Sequence, residues 1–437
     1  MSTRRTTQIF CASTLYGAVT IAAALDSGCF PTADRRILLV TNNAAVPETT
    51  PPLDEAEGFD RLRGRFDSVL SWNETISPLH PGGWTPRPSD LPLLQRHLRK
   101  LWDLGDDRVE LALESPQVTP ALAIAQLLPD APITVYADGL MSYGPTRNKI
   151  DPLIGGRVGR LLHLDLVPGL APLLLAEFGA VAETVPTEAF TKVVGELTGP
   201  AAAGDGPALL LGQYLAALNL LTAAEEEELH LRMVRGAIAL GHRRLVFKPH
   251  PTAPDAWSRT LVREAADLGA ELTVEDRPVL AEVLYGELRP ALVVGCFSTA
   301  LLTARTFYGL PVARVGTGTL LERLTPFQNS NRIPLTVVDA VVPPLEDGEA
   351  AAAEIGTDQL NDLVAAVGFA MQPKIRPELR EPAVRHLSGP LAERTRHHFT
   401  RRRLTVLDLP GGIPLPRHPK VRRLARRALR LRRALKR

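Results

Sequence analysis

Apolar positions along the chain switch between the strand and helix periods. Residues 8–13 (QIFCAS) and 37–41 (ILLVT) are short strand-type runs, and the apolar stretch 18–27 between them has helix length. The same order returns with a strand at 109–113, a helix near 120–128 and a strand at 133–137. Strands alternating with helices predict a parallel sheet covered on both faces. The Pro/Gly-rich residues 78–92 read as a mobile surface loop, with the makings of a lid. Gly, Pro and Ala at 197–207 read as a linker, after which strands at 208–212, 245–248, 272–274 and 292–294 surround helices near 223–240 and 254–268. The expected class is α/β with two Rossmann-like domains: residues 1–199, then 200–370, followed by C-terminal helices and a connection over 371–416 and a tail over 417–437. Such a pair leaves a cleft at the carboxyl ends of both sheets, where open α/β folds bind ligands.

Composition changes this picture in three places. Cys11, Cys29 and Cys296 have no paired spacing, which argues against a disulfide framework or structural zinc and suits a reducing cytoplasm. Arg4-Arg5 ahead of the apolar run 9–25 mimics a secretory signal, but Ser13, Thr14, Tyr16 and Gly17 interrupt it, so strand, loop and helix account for it better. No other stretch reaches the ~18 uncharged apolar residues of a membrane span. Net charge is only +2, yet residues 417–437 hold eleven Lys/Arg and no acid, leaving 39 basic residues against 48 acidic ones before them. Val421, Leu424, Ala428, Leu431 and Leu435 recur at steps of three and four, one apolar helical face among arginines. That pattern fits an anionic membrane surface at the inner face of the plasma membrane; a solvated basic tail, or a helix docked on acidic protein, has equal standing. Nucleic acid is not expected as a partner, because the tail lacks aromatic residues to stack bases.

Three segments carry candidate chemistry. Phe247-Lys248-Pro249-His250-Pro251 follows a strand, and its prolines fix the backbone so that an ammonium and an imidazole are presented at the strand's carboxyl end. A phosphate leaving group needs such partners as negative charge builds on it; a surface turn with an outward lysine is the alternative. His80-Pro81 and His418-Pro419 follow no strand. Val293-Val294-Gly295-Cys296-Phe297-Ser298-Thr299-Ala300 offers a strand, two hydroxyls and then a helix, an arrangement suited to an anion at a helix N-terminus or to simple capping by Ser298. Ile133-Thr134-Val135-Tyr136-Ala137-Asp138-Gly139 ends a strand with a carboxylate, either an ordinary turn or a general base across the cleft. Glu346-Asp347-Gly348 reads as a loop leading into a helix.

Together these pieces resemble the bacterial sialyltransferases, specifically the α-2,8-polysialyltransferase-like family, whose signature is an acidic-acidic-Gly segment in the first domain and His-Pro then Ser/Thr in the second. The resemblance spans roughly residues 8–340 and is helped by Cys11-Ala12-Ser13-Thr14, Asp165-Leu166-Val167-Pro168-Gly169, Gly212-Gln213-Tyr214 and Gly309-Leu310-Pro311. It departs at Ala137, where the family carries the first acid, which puts acceptor choice in doubt. The resemblance implies a GT-B fold, a CMP-activated nonulosonic acid as donor, a glycan or glycolipid acceptor, and inversion at the anomeric carbon with no cofactor and no metal. Asp138 would be the base; His250 would stabilise or protonate the departing phosphate; Ser298 and Thr299 would hold it, with Lys248 adding charge. Glu282 would meet the ribose hydroxyls and Ser13 and Thr14 the sugars, while Gly139, Gln213 and Pro251 count among the substrate-binding positions. No Asp-x-Asp pair lies near a strand end, in keeping with the metal-free expectation. The competing readings are a transferase of glycerol phosphate from CDP-glycerol, and a non-catalytic nucleotide-binding member of the fold.

Overall fold

A computed structural model describes residues 4–137, 139–201, 206–250, 255–347 and 355–413. The strands are β1 (Thr6–Ala12), β2 (Arg35–Val40), β3 (Ser68–Ser71), β4 (Arg108–Leu113), β5 (Ile133–Ala137), β6 (Val158–Leu164) and β7 (Val181–Val185) in the first lobe. The second lobe adds β8 (Ala208–Leu211), β9 (Arg244–Lys248), β10 (Glu271–Val274), β11 (Leu292–Gly295) and β12 (Val312–Arg314). Every pairing is parallel, in the orders β3-β2-β1-β4-β5-β6-β7 and β10-β9-β8-β11-β12. Parallel strands are covered on both faces, which explains the uninterrupted burial of Ile9, Phe10, Cys11 and Ala12 in β1 and of all four residues of β8 and of β11.

The chain order places the sites. In the first sheet the path runs outward from β1 to β3 and then restarts at β4 on the other side of β1; in the second it runs from β8 to β10 and restarts at β11. Each restart opens a crevice at the carboxyl ends, between β1 and β4 and between β8 and β11. The apolar run after β1 is the helix Leu15–Asp26, buried from Gly17 to Leu25 and capped by Thr14, whose hydroxyl accepts from the Gly17 N–H at 3.0 Å.

The lobes share a continuous apolar core. Phe190, on the helix Thr187–Leu197, packs 5.6 Å from Phe307 of the second lobe, and the Thr306 hydroxyl donates to the Leu166 carbonyl at 2.8 Å. The helix Thr357–Met371, buried almost throughout its second half, turns back onto the first lobe: Asn361 bonds the Gly169 carbonyl (2.9 Å) and the Ala171 N–H (3.1 Å). Just after it, Gln372 donates to the Arg147 carbonyl at 2.7 Å.

The expected 78–92 loop ends where the helix Leu91–Leu101 begins, and it is pinned rather than loose. Thr119 donates to the Gly82 carbonyl at 2.6 Å, the His80 ring lies 2.9 Å from the Ala44 carbonyl, and Trp84 packs against Trp72. Residues 345–347 form a short 3-10 turn. Among the described residues no helix is long and apolar enough to cross a membrane; the tail 417–437 lies outside them. Two parallel-sheet lobes facing one cleft make up the GT-B architecture.

Candidate active site

Both crevices open into one cavity of about 580 Å³ between the lobes. At the first crevice, Ser13 follows β1 and Glu114 follows β4, and the Ser13 hydroxyl donates to the Glu114 carboxylate at 3.1 Å. At the second, Gln213 stands just beyond β8 and Phe297 just beyond β11, and the Phe297 N–H donates to the Gln213 side-chain oxygen at 2.9 Å. One side-chain hydrogen bond therefore spans each crevice. Glu114, Gln213 and Phe297 all line the cavity.

The hydroxyl motif sits on the floor of the second crevice. Ser298 caps the ten-residue helix Thr299–Tyr308, its hydroxyl accepting from the Ala300 N–H at 3.2 Å, so the capping reading holds in the structure without a ligand. Both hydroxyls and His250 also line the cavity. The loop after β8 is held to β9 by the Gly212 N–H, which donates to the Lys248 carbonyl at 2.9 Å. A side chain at 212 would stand 3.0 Å from the Phe247 ring and 3.2 Å from that carbonyl, so the close approach of the two strand ends requires glycine.

The two lobes meet at the motifs themselves. The Leu140 N–H points to the Thr299 hydroxyl oxygen at 3.4 Å, and a methyl group added at Gly139 would lie 3.2 Å from that atom. Asp138 and Pro251 lie outside the described residues; Asp138's neighbours Ala137 and Gly139 both line the cavity.

Other expected residues take different places. Lys248 ends β9 beside the cavity, with its ammonium donating to the Arg277 carbonyl at 3.0 Å. Glu282 is 2% exposed within the helix Ala281–Leu288 and accepts from Thr303 at 2.6 Å, so helix packing accounts for its carboxylate and it does not line the cavity. Ser13 and Thr14 line a smaller neighbouring hollow of about 280 Å³ with Asn42 and Thr50, joined to the main cavity through the Ser13–Glu114 bond.

Burial sets the charge states. It pushes the Lys248 ammonium below its ordinary pKa; it does the same to the His250 imidazole, which the nearby Lys248 charge lowers further. Glu114 moves the other way: burial raises its pKa, and the Ser13 bond opposes that rise. Glu114 and Arg147, both on the cavity wall, were not legible as site residues in the sequence. An acid directly after the buried strand run ending at Leu113 was the available signal for Glu114; Arg147, in an irregular stretch, offered none.

A cluster of Asp339, His397 and His398 lies away from the cavity lining, with ligand atoms within 4.8 Å of one another. Its carboxylate is already engaged by Arg314 at 3.0 Å, Thr317 at 2.6 Å and His397 at 2.7 Å.

The family model for alpha-2,8-polysialyltransferase (POLYST) matches residues 8–317. Among solved structures, the chain is similar to the GT-B domain of a sialyltransferase from Photobacterium damselae (12% identity, 76% of this chain and 96% of that one, TM-score 0.42). It is similar also to a 2,6-sialyltransferase from Photobacterium sp. JT-ISH-224, solved with CMP and lactose (13% identity, 76% and 75%, TM-score 0.40). MurG from Acinetobacter baumannii is a further similar structure (12% identity, 90% and 97%, TM-score 0.40). No curated protein sequence matches the chain.

Proposed function

The chain belongs to the alpha-2,8-polysialyltransferase family and is a sialic acid glycosyltransferase drawing on CMP-sialic acid, and we propose that transfer takes place in the interlobe cavity with the phosphate on the second lobe and the attacking hydroxyl on the first. The observation that carries this reading is the meeting of motifs: Gly139 and Leu140 touch Thr299, in the cavity that His250 and Ser298 also line.

The phosphate of the donor rests at the N-terminus of the helix Thr299–Tyr308, where the partial positive charge of the helix end and the two hydroxyls favour negative charge. His250, with its pKa lowered by burial and by Lys248, approaches the donor as a neutral imidazole and donates a hydrogen bond. As the second negative charge grows on the leaving phosphate, that hydrogen bond becomes charge-assisted and strengthens, so the imidazole stabilises the departing group without a proton changing hands. On the opposite face of the sugar Asp138 removes the proton of the acceptor hydroxyl as that oxygen bonds to the anomeric carbon, and the carbon inverts. The charges carried by Lys248 and the helix N-terminus, with the His250 hydrogen bond, perform the work a metal would otherwise do at the phosphate. The pattern of residues 417–437 supports attachment to an anionic membrane surface on the cytoplasmic side, with a glycan or glycolipid acceptor. Family membership disfavours the glycerol-phosphate alternative.

Replacement of Asp138 by Asn, and separately of His250 by Ala, is expected to lower CMP release by roughly 10²- to 10⁴-fold in the presence of a sialylated acceptor, with CMP binding by calorimetry retained in Asp138→Asn. Wild-type turnover in Asp138→Asn would remove that residue from the mechanism.

A further inference from the structure

Three arginines drawn out of water in this fold bond backbone carbonyls. Arg157 donates to the carbonyls of Ala125 (2.7 Å), Leu128 (2.7 Å) and Ala131 (3.0 Å). Arg332 donates to those of Leu324 (2.8 Å), Phe327 (2.9 Å) and His398 (3.3 Å), and Arg403 to those of Ala370 (2.5 Å) and Met371 (3.4 Å). Each of these three guanidinium groups meets backbone oxygens, which offsets the cost of desolvating its charge; Arg36, on β2 and off the cavity lining, also has a buried Nε with no partner among the described residues.

Arg147, on the cavity wall, has no such partners among the described residues. Among the described residues its guanidinium has neither a hydrogen bond nor an ion pair, although it is half-buried and burial alone pulls its pKa down. Its position is nevertheless fixed. Its carbonyl accepts from Gln372 at 2.7 Å, and the hydroxyl of the preceding Thr146 accepts from the Leu175 N–H at 3.0 Å. Pro145, Leu174 and Met371 line the same cavity, and among the described residues no carboxylate pairs with Arg147.

We propose that Arg147 is the carboxylate receptor of the cavity: its unpaired guanidinium, carried on a backbone that Gln372 anchors, takes the carboxylate of a sialic acid in a bidentate pair. The proposal rests on the sialyltransferase reading and names the chemical group that the sugar side of the site selects. A planar guanidinium fork matches a carboxylate in a way an ammonium does not, so lysine is a poor replacement. The carboxylate has two sources, the donor sugar and the terminal residue of a sialylated acceptor.

The test uses the full chain with Arg147→Met, which keeps the apolar stem, and Arg147→Lys. CMP carries no carboxylate, so its affinity should be the same in all three proteins; wild-type protein that neither binds CMP nor releases it from CMP-sialic acid would sink the functional reading itself. Given an active wild type, an acceptor-side carboxylate predicts a loss of roughly 10- to 150-fold in kcat/KM for a sialylated acceptor in Arg147→Met, the range for a lost charge-assisted hydrogen bond. The methyl ester of that acceptor should then be used equally poorly by variant and wild type. A donor-side carboxylate predicts the same loss in CMP-sialic acid affinity and in hydrolysis without acceptor, with no discrimination between acid and ester acceptors. Wild-type behaviour of Arg147→Met in both arms overturns the proposal and leaves the functional reading intact.

Discussion

A methyl group at Gly139 tests whether the lobes meet where catalysis is proposed. Gly139 has φ −138° and ψ 177°, extended values open to any residue, so alanine there introduces no backbone strain. Its Cβ would stand 3.2 Å from the Thr299 hydroxyl oxygen, close enough that the neighbour must give by a few tenths of an ångström. The easiest movement is rotation of Thr299, which gives up the long 3.4 Å contact with the Leu140 N–H and takes the hydroxyl off the phosphate position. One hydrogen bond to a charged group is worth about 1.5–3 kcal/mol, so kcat/KM should fall by roughly 10- to 150-fold while the melting temperature barely moves. The assay is CMP release in wild type, Gly139→Ala, Thr299→Ala and the double variant. Removing the hydroxyl first leaves the new methyl nothing to displace, so Gly139→Ala should cost little in the Thr299→Ala background, a coupling of about 1 kcal/mol or more. Equal losses in both backgrounds would mean that residues 139 and 299 do not meet during turnover, and the geometric basis of the mechanism would fail.

Two further predictions concern titration. Replacing Lys248 by Met removes a positive charge that depresses the His250 imidazole, leaving burial as the main depressing cause, so the acidic limb of the pH profile of CMP release should shift to higher pH; an unmoved limb would detach His250 from that limb. His230, 1% exposed between Phe247 and Trp257 with neither ring nitrogen bonded, is held neutral by burial with its pKa down to about 4. The unfolded chain binds a proton there as pH falls below about 6.5 and the folded chain does not, so stability drops between pH 6.5 and about 4 by roughly 3 kcal/mol. Denaturant titrations of His230→Phe should lack that slope, and an unchanged slope would exclude His230 as its source.

Most of the legible parts of the fold are strands with neighbours on both sides. Strands β1, β2, β4, β5, β8, β9 and β11 show as apolar runs within a residue or two of their observed ends, because parallel strands in a sheet interior carry few polar positions. Of the four edge strands, β3, β7 and β12 escaped and only β10, marked by Leu272 and Val274, was read. Ser68–Ser71 has no fully buried residue, and in Val181–Val185 only Val185 is buried. Strand β6 is interior and still escaped, since Gly159, Arg160 and His163 break its run; the structure accommodates them by pairing Arg160 with Glu183 and bonding His163 to the Leu164 carbonyl. The helix Thr357–Met371 read as part of the second domain, and only tertiary contacts reveal its return to Gly169 and Ala171.

The site divides along the same line. His250, Ser298, Thr299 and Gly139 were visible because a strand run ending in special residues marks a carboxyl-end turn in any open α/β sheet. Glu114 and Arg147 owe their character to what surrounds them. Burial raises the pKa of Glu114 and lowers those of Lys248, His250 and Arg147, so the cavity disfavours the charged form of each group without removing the guanidinium charge. A donor that brings a phosphate to the helix N-terminus and a carboxylate to Arg147 offsets the desolvation cost of those positive charges in the act of binding. A neutral sugar gives Arg147 no such partner. Selectivity for an acidic sugar on a nucleotide phosphate therefore follows from the placement of desolvated cations, a property that depends on which strand ends the fold brings together and not on any one motif.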